Sequence, residues 1–269
     1  MTQADHWSWT LLRAGAFRLD GGSMFGIVPK ALWSKAVEPD SRNRIPLQTN
    51  CVLLERGDQR ALIETGSGSK WSKKQRDIYC MEERSIQDAL AEIDVDPHSI
   101  DHVILTHLHF DHAGGLTHCD GEGEPVSTFP NARIHVQRQE WDDALNNRST
   151  MRGTYLQTHL EPVSEQIECH EGVAEVLPGI TVRPMPGHTW GQQAIQFSDG
   201  LGTVCFPGDV MPTRNHEGLA YSMGYDMLPY TNMESKRDLL EHAVNEHWRL
   251  VLGHEPGDPI WQPASKEED

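Results

Sequence analysis

The segment His107-Leu108-His109-Phe110-Asp111-His112 places four metal-binding side chains within six residues. In an extended chain, residues two apart face the same side, so His107 and His109 can converge on one ion. If the chain turns after Phe110, Asp111 and His112 face a second. Two cations roughly 3.5–4 Å apart, bridged by a hydroxide, make a hydrolytic device. Imidazole with carboxylate suits zinc, and also accepts iron, manganese or cobalt. The chain holds 15 histidines, so an isolated His-x-His would say little. Four ligand-type side chains in one run, after an apolar stretch ending at Thr106 and before Gly114-Gly115, say more. That glycine pair is read as the place where the backbone turns tightly and begins a helix.

Several elements must position this run. Short apolar stretches punctuated by Gly, Pro and Asp predict strands over Trp9–Leu19, Thr49–Glu55 and Ala61–Glu64. Cys51–Arg56 and Gln59–Ile63, joined across Gly57-Asp58, read as a β-hairpin. Ile86, Leu90 and Ile93 at helical spacing predict a helix over Glu82–Ile93, stopped by Asp96-Pro97. Further strands are expected at His102–Thr106, Arg133–Val136, Ile180–Arg183, Gln193–Phe197, Thr203–Phe206 and Arg249–Leu252. Helices are expected at Gln139–Asn146 and Met233–His247, the second with Leu239, Leu240, Ala243 and Val244 on one face. Mixed strands with helices outside them imply a layered α/β architecture. Ser23–Pro46 and Met211–Tyr230 read as long connections of the kind that often carry function.

Length and composition set the outer bounds. The chain has 269 residues, 37% of them hydrophobic, enough for one domain over 1–269 with a sizeable core. Its formal charge is -17, from 23 Lys+Arg against 40 Asp+Glu. So acidic a surface repels phosphate backbones and anionic headgroups, which argues against nucleic acid and membrane partners. The five cysteines have no CxxC spacing and an odd total, which fits a reducing compartment. No apolar run resembles a signal peptide or a membrane span, so a cytoplasmic location is expected. The acidic tail SKEED is expected to fray.

The motifs as a set resemble those of the metallo-β-lactamase fold. THLHFDHAGG matches the HxHxDH signature of that family. Pro186-Gly187-His188-Thr189, Phe206-Pro207-Gly208-Asp209 and Leu252-Gly253-His254 then follow in the family's order. The resemblance spans nearly the whole chain and implies an α/β fold, a four-layer αββα sandwich. It also implies two divalent metal ions, zinc the first expectation. One would sit on His107, His109 and His188, the other on Asp111, His112 and His254, with Asp209 bridging. Where β-lactamases of the main subclass carry cysteine this chain has Asp209, and Cys205 lies four residues too early to serve. Glu64-Thr65-Gly66 stands where the family has Asp-Thr-Gly, so Glu64 is expected to support the ligand loop with a longer arm. Trp190 replaces a common proline and is expected to thicken the pocket wall near His188.

Other branches of the family fit less well. Glyoxalase II-type thioesterases add a glutathione-binding C-terminal domain, and this chain ends at Asp269, too soon after His254 to hold one. Nucleases carry an inserted domain or a basic exosite, and flavodiiron proteins place Glu within the first motif. The wording here looks like the group of lactonases, related esterases and organophosphate hydrolases. That resemblance implies attack of a metal-bridging hydroxide on a lactone or carboxylester, with phosphotriester or thioester hydrolysis as the alternative. A catalytically silent metal-binding protein is the reading from another class. Asp111 is the candidate proton carrier to the leaving group, beside Asp209. Of Tyr221, Tyr225 and Tyr230, Tyr225 is the candidate oxyanion donor, and Arg214 and His216 are expected near substrate. Met24, Phe25, Ile27, Val28, Leu32 and Trp33, with Trp190 and Met223, are expected to line a pocket for a small molecule with an apolar part. The same apolar loop makes a homodimer a reasonable expectation.

Overall fold

A computed structural model of the chain describes residues 6–264, and the acidic tail at 265–269 lies outside the described residues. The strands in chain order are β1 (Ser8–Asp20), β2 (Arg44–Arg56), β3 (Gln59–Ile63) and β4 (His102–Ile104). A small ribbon, β5 (Thr117–Cys119) and β6 (Pro125–Ser127), precedes β7 (Arg133–Gln137) and β8 (Ile167–His170). The second half adds β9 (Ala174–Leu177), β10 (Ile180–Pro184), β11 (Gln193–Ser198), β12 (Thr203–Phe206), β13 (Arg249–Val251) and β14 (Ile260–Trp261). One sheet has the order β1-β2-β3-β4-β7-β8 and the other β14-β13-β12-β11-β10-β9.

Alternation of apolar residues on β2, β3 and β4 gives the first sheet two buried faces. Val52, Leu54, Ala61, Ile63 and Ile104 pack inward against Ile180, Val182, Ile195, Phe197 and Phe206 of the second sheet. Leu53, Leu62, Val103, Ile134 and Val136 point outward beneath the helices that cover that sheet. On the far face of the second sheet, Ala194, Cys205 and Leu250 pack under Leu239 and Ala243 of a long helix. The layers are therefore helix, sheet, sheet, helix, the αββα sandwich that the sequence implied.

The helices are α1 (Gly21–Phe25), α2 (Lys30–Trp33), α3 (Lys73–Tyr79), α4 (Ile86–Ala91), α5 (Phe110–Ala113), α6 (Arg138–Leu145), α7 (Gln157–Leu160) and α8 (Pro229–Asn245). The hairpin is as read: Arg56 pairs with Gln59, and Gly57 turns the chain at φ 61. Two expectations change. Ser23–Pro46, read as a long connection, is largely folded: Asp20 caps α1 through the Ser23 amide, α2 follows, and Met24, Phe25, Val28 and Trp33 form a core with Phe17, Ile45 and Leu47. The helix expected over Glu82–Ile93 shortens to α4, because Ser85 and Asp88 form a capping box that starts it late. No helix among the described residues is long and apolar enough to cross a membrane.

Direction decides where the site falls. β12 runs parallel to β13, while β11 is antiparallel to both β10 and β12, so β10, β12 and β13 all point the same way. The segments leaving their C-terminal ends carry His188, Asp209 and His254, and meet on one rim. The segment leaving β4 joins them across the sandwich, where the Gln193 amide donates to the Thr106 carbonyl at 2.9 Å.

Candidate metal centre

All seven expected ligands are buried and gathered on that rim. Their donor atoms fall into three overlapping groups, each close enough to share an ion: His107 with His109 and His188; His107 with His112 and Asp209; Asp111 with His112 and His254. Asp209 lies between the outer groups. Its Oδ2 is 3.4 Å from His188 Nε2, and its Oδ1 is 3.5 Å from His112 Nε2 and 3.3 Å from His254 Nε2. Asp111 Oδ2 is 3.5 Å from His254 Nε2.

The outward nitrogens explain how these rings are aimed. His112 Nδ1 donates to Glu64 Oε2 at 3.0 Å, His188 Nδ1 to Asp226 Oδ1 at 2.9 Å, and His254 Nδ1 to the Gln48 carbonyl at 2.9 Å. A carboxylate or carbonyl can only accept, so each partner fixes the proton on Nδ1 and leaves the Nε2 lone pair facing the centre. Thr106 Oγ1 stands 2.9 Å from His107 Nδ1, a hydroxyl that can accept that proton's hydrogen bond or donate one.

The donor set fits divalent cations on the structure's own terms. His107 Nε2 and Asp209 Oδ1 are buried without a hydrogen-bond partner, an expensive condition for polar atoms unless something positive satisfies them. Rings from opposite sheets meet nitrogen to nitrogen, His109 Nδ1 with His188 Nε2 at 2.9 Å and His112 Nε2 with His254 Nε2 at 3.1 Å. Burial opposes positive charge on His112, His188 and His254. The nearby carboxylates nevertheless raise all three, with Glu64 and Asp209 foremost at His112 and Asp209 at the other two. At His107 and His109 burial prevails and holds the rings neutral, with lone pairs available.

The loop carrying His107–His112 is clamped from both sides. The Thr65 amide and hydroxyl both donate to the His112 carbonyl, at 3.0 and 2.7 Å. Glu140, buried in α6, accepts from the Leu108 amide at 2.9 Å and from Tyr155 Oη at 3.0 Å through one oxygen. Its other oxygen accepts from Thr189 Oγ1 at 2.6 Å. Burial pushes the Glu140 carboxyl up despite these bonds. It joins the first ligand loop to the Pro-Gly-His-Thr turn, which no local pattern announces. Gly114 and Gly115 serve differently from the expectation. Gly114 has an ordinary φ of -61, and a Cβ there would lie 2.2 Å from the Ser67 carbonyl oxygen; one on Gly115 would lie 2.2 Å from that of Thr65. They are glycines because the 65–68 loop presses onto them.

Above the candidate ligands opens a cleft. Its wall is apolar: Leu19, Met24, Tyr79, Phe110, Met151, Met223, Tyr225 and Met227 surround His109, Asp111, His188, Asp209 and His254. Tyr225 is thus placed beside the centre, hydrogen-bonded to Ser23 and pushed up to about 12 by burial. Tyr79 was not anticipated; it ends a helix without buried residues, stacked on Phe110 at 5.6 Å.

Several expected neighbours stand elsewhere. Phe25, Val28 and Trp33 are consumed by their own core, while Ile27 and Leu32 face solvent. Trp190 lies beneath the Arg148 guanidinium at 3.7 Å, outside the cleft lining. His216 is buried against Phe25 and donates to the Met24 carbonyl, and Arg214 donates to the carbonyls of Asp258 and Ile260. Tyr221 packs edge-on to Phe25, and Tyr230 is exposed. Cys205 is buried under α8 and belongs to none of the candidate ligand groups.

Residues 44–254 match the metallo-beta-lactamase superfamily, and the chain belongs to it. An N-acyl homoserine lactonase from a Bacillus species is 30% identical over 218 residues, covering 76% of this chain and 80% of its own. The N-acyl homoserine lactonase AiiA of Bacillus thuringiensis subsp. kurstaki is 28% identical over 235 residues, covering 82% and 86%. Among solved structures, a probable metal-dependent hydrolase from Staphylococcus aureus superposes with a TM-score of 0.87 at 30% identity, covering 100% of this chain and 99% of that one.

Proposed function

We propose that the protein is a metal-dependent hydrolase of ester bonds, and that it opens lactones or cleaves carboxylesters by hydroxide attack at a dinuclear centre. The observation that carries this is the wiring of the ligands: proton-bearing outer nitrogens on His112, His188 and His254, with unpartnered His107 Nε2 and Asp209 Oδ1 facing inward. His107, His109 and His188 would hold one ion, Asp111, His112 and His254 the other, and Asp209 would be shared. Zinc is the expected metal. When bound, such a pair supplies Lewis acidity and lowers the pKa of water from 15.7 towards about 7.

The chain's own residues do the rest. Met24, Met151, Met223 and Met227 take the apolar part of a small substrate and exclude water from the carbonyl. Tyr225 keeps its proton at neutral pH, since burial pushes it up to about 12, and so can donate to the oxygen on which charge develops. Cleavage of the ester C–O bond leaves an alkoxide that needs a proton, and Asp111, which lines the cleft, would carry it there from the attacking hydroxide's own O–H, leaving the product carboxylate. The kinship with N-acyl homoserine lactonases favours a lactone bearing an acyl chain.

The test pairs metal analysis with turnover of an acylated γ-lactone, an aryl ester, a phosphotriester and a thioester, on wild type and Asp209→Ala. Two metals per chain, with lactone or ester turnover that collapses in the variant, is the expected result. Turnover of the phosphotriester or thioester alone would reassign the substrate. Under one metal per chain after metal-replete purification, with no turnover, would overturn the enzyme reading.

A further inference from the structure

Three histidines outside this centre stand on neighbouring parallel strands and share a face. His102 is on β4, His135 on β7 and His170 on β8, the edge strand of the first sheet. The register pairs Ile104 with His135 and His135 with Glu168, so Glu168 lies beside His135 and the other two histidines sit diagonally from it. His102 Nδ1 meets His135 Nε2 at 2.9 Å, and His135 Nδ1 meets His170 Nε2 at 2.9 Å. The His135 and His170 rings are near-parallel, 17° apart with centroids at 5.2 Å, and meet edge to edge through those nitrogens.

We propose that His135, Glu168 and His170 form a further metal site on this sheet edge, for a borderline divalent cation of the zinc, nickel or copper(II) class. The nitrogen and oxygen donors of these three residues lie within 4.8 Å of one another. With metal–nitrogen bonds of about 2.0–2.1 Å, two imidazoles on a tetrahedral ion stand about 3.3 Å apart, so His135 and His170 must open by a few tenths of an ångström and also swing their rings, which here meet nitrogen to nitrogen, towards the ion. The expected ligands of the main centre show the same close approach, at 2.9 and 3.1 Å. His102 supplies the orienting partner. When His135 Nε2 donates to His102 Nδ1, the lone pair of His135 Nδ1 is left facing His170.

The surroundings keep the donors usable. Burial drives His135 down to about 4 and lowers His170 as well, so both rings are neutral at pH 7. Arg133 Nη1 donates to Glu168 Oε2 at 3.2 Å in an exposed pair, which fixes that carboxylate and also competes with an ion. This site is therefore weaker than the main centre. His135 is buried, while His170 and Glu168 are only partly so, which leaves the fourth coordination position to solvent. An ion held there ties the edge strand β8 to β7.

The experiment compares wild type, His170→Ala and Glu168→Gln, each metal-replete, by equilibrium dialysis against Zn(II) with elemental analysis. Cu(II) titration followed by electron paramagnetic resonance is the second readout. Wild type should take up one equivalent more than His170→Ala, with at least tenfold weaker uptake of that equivalent in Glu168→Gln. The Cu(II) signal lost in His170→Ala should carry coupling to two imidazole nitrogens. Hydrolysis should be equal in all three. Equal stoichiometry and equal affinity in wild type and both variants would overturn the proposal. So would an extra equivalent that survives His170→Ala.

Discussion

Glu64 accepts the His112 Nδ1 proton at 3.0 Å through one carboxylate oxygen and the Thr106 amide at 2.8 Å through the other, from a backbone held at φ 64. A non-glycine residue in the left-handed region costs roughly 1–3 kcal/mol, and such residues cluster at functional sites. Here the unusual backbone sends one side chain to both ends of the turn that carries the ligands.

Glu64→Gln keeps the shape and reverses one donor. The amide oxygen is needed by Thr106, which turns the amide NH2 towards His112 Nδ1 and favours the tautomer with its proton on Nε2. Loss of such an orienting partner typically costs 10–100-fold in metal affinity. Chelator competition should show a loss in that range, and unchanged affinity would remove the orienting role from Glu64.

Tyr225→Phe tests the phenol. It leaves the ring in the cleft wall and deletes the donor. A lost oxyanion donor lowers kcat by roughly 10²-fold or more, so kcat should fall by about that factor with KM nearly constant. A change confined to KM would make Tyr225 a wall residue only.

Gly114→Ala and Gly57→Ala separate crowding from conformation. At Gly114 the backbone is ordinary and the space is closed by the Ser67 backbone; at Gly57 the space is open and φ is 61. Overpacking costs about 1–3 kcal/mol and moves neighbours, whereas a left-handed alanine costs about 1–2 kcal/mol locally. Urea midpoints should fall in both variants, but only Gly114→Ala should also weaken metal binding.

His216 predicts an acid-side loss of stability. Burial lowers it from 6.5 to about 4, so the folded ring stays neutral where the unfolded one charges. The unfolded state then binds more protons, and stability falls as pH drops from about 6.5 to 4 and levels below. A difference of that size corresponds to about 3 kcal/mol. Metal-free wild type and His216→Gln should converge in stability across that window. A constant gap would show that His216 does not titrate there.

The strands around the first motif and the seven candidate ligands could be read from sequence because each rests on a local pattern, such as His107-x-His109 after an apolar run or Gly208-Asp209 after a strand. The residues that aim those ligands could not. His254 finds its acceptor at Gln48, 206 positions away, and His188 at Asp226, 38 away. Tyr79 was hidden because α3 has no buried residue and hence no apolar period; only Ser72 and Gln75 mark its start. Of the apolar residues in the early loop only Met24 lines the cleft; hydrophobicity alone does not tell a pocket wall from a private core. Asp20 caps α1, which carries Met24 and Phe25, and Val28 and Trp33 close over them in one core.

Four of the side chains that wall the cleft, Met24, Met151, Met223 and Met227, carry thioethers. Oxidation to sulfoxide would turn a greasy, adaptable wall into a polar one without touching a ligand. Mild peroxide should therefore erase the preference for long-chain over short-chain substrates before it abolishes turnover, and methionine sulfoxide reductase should restore it. The choice of substrate, more than the chemistry, is the part of this protein exposed to oxidative stress.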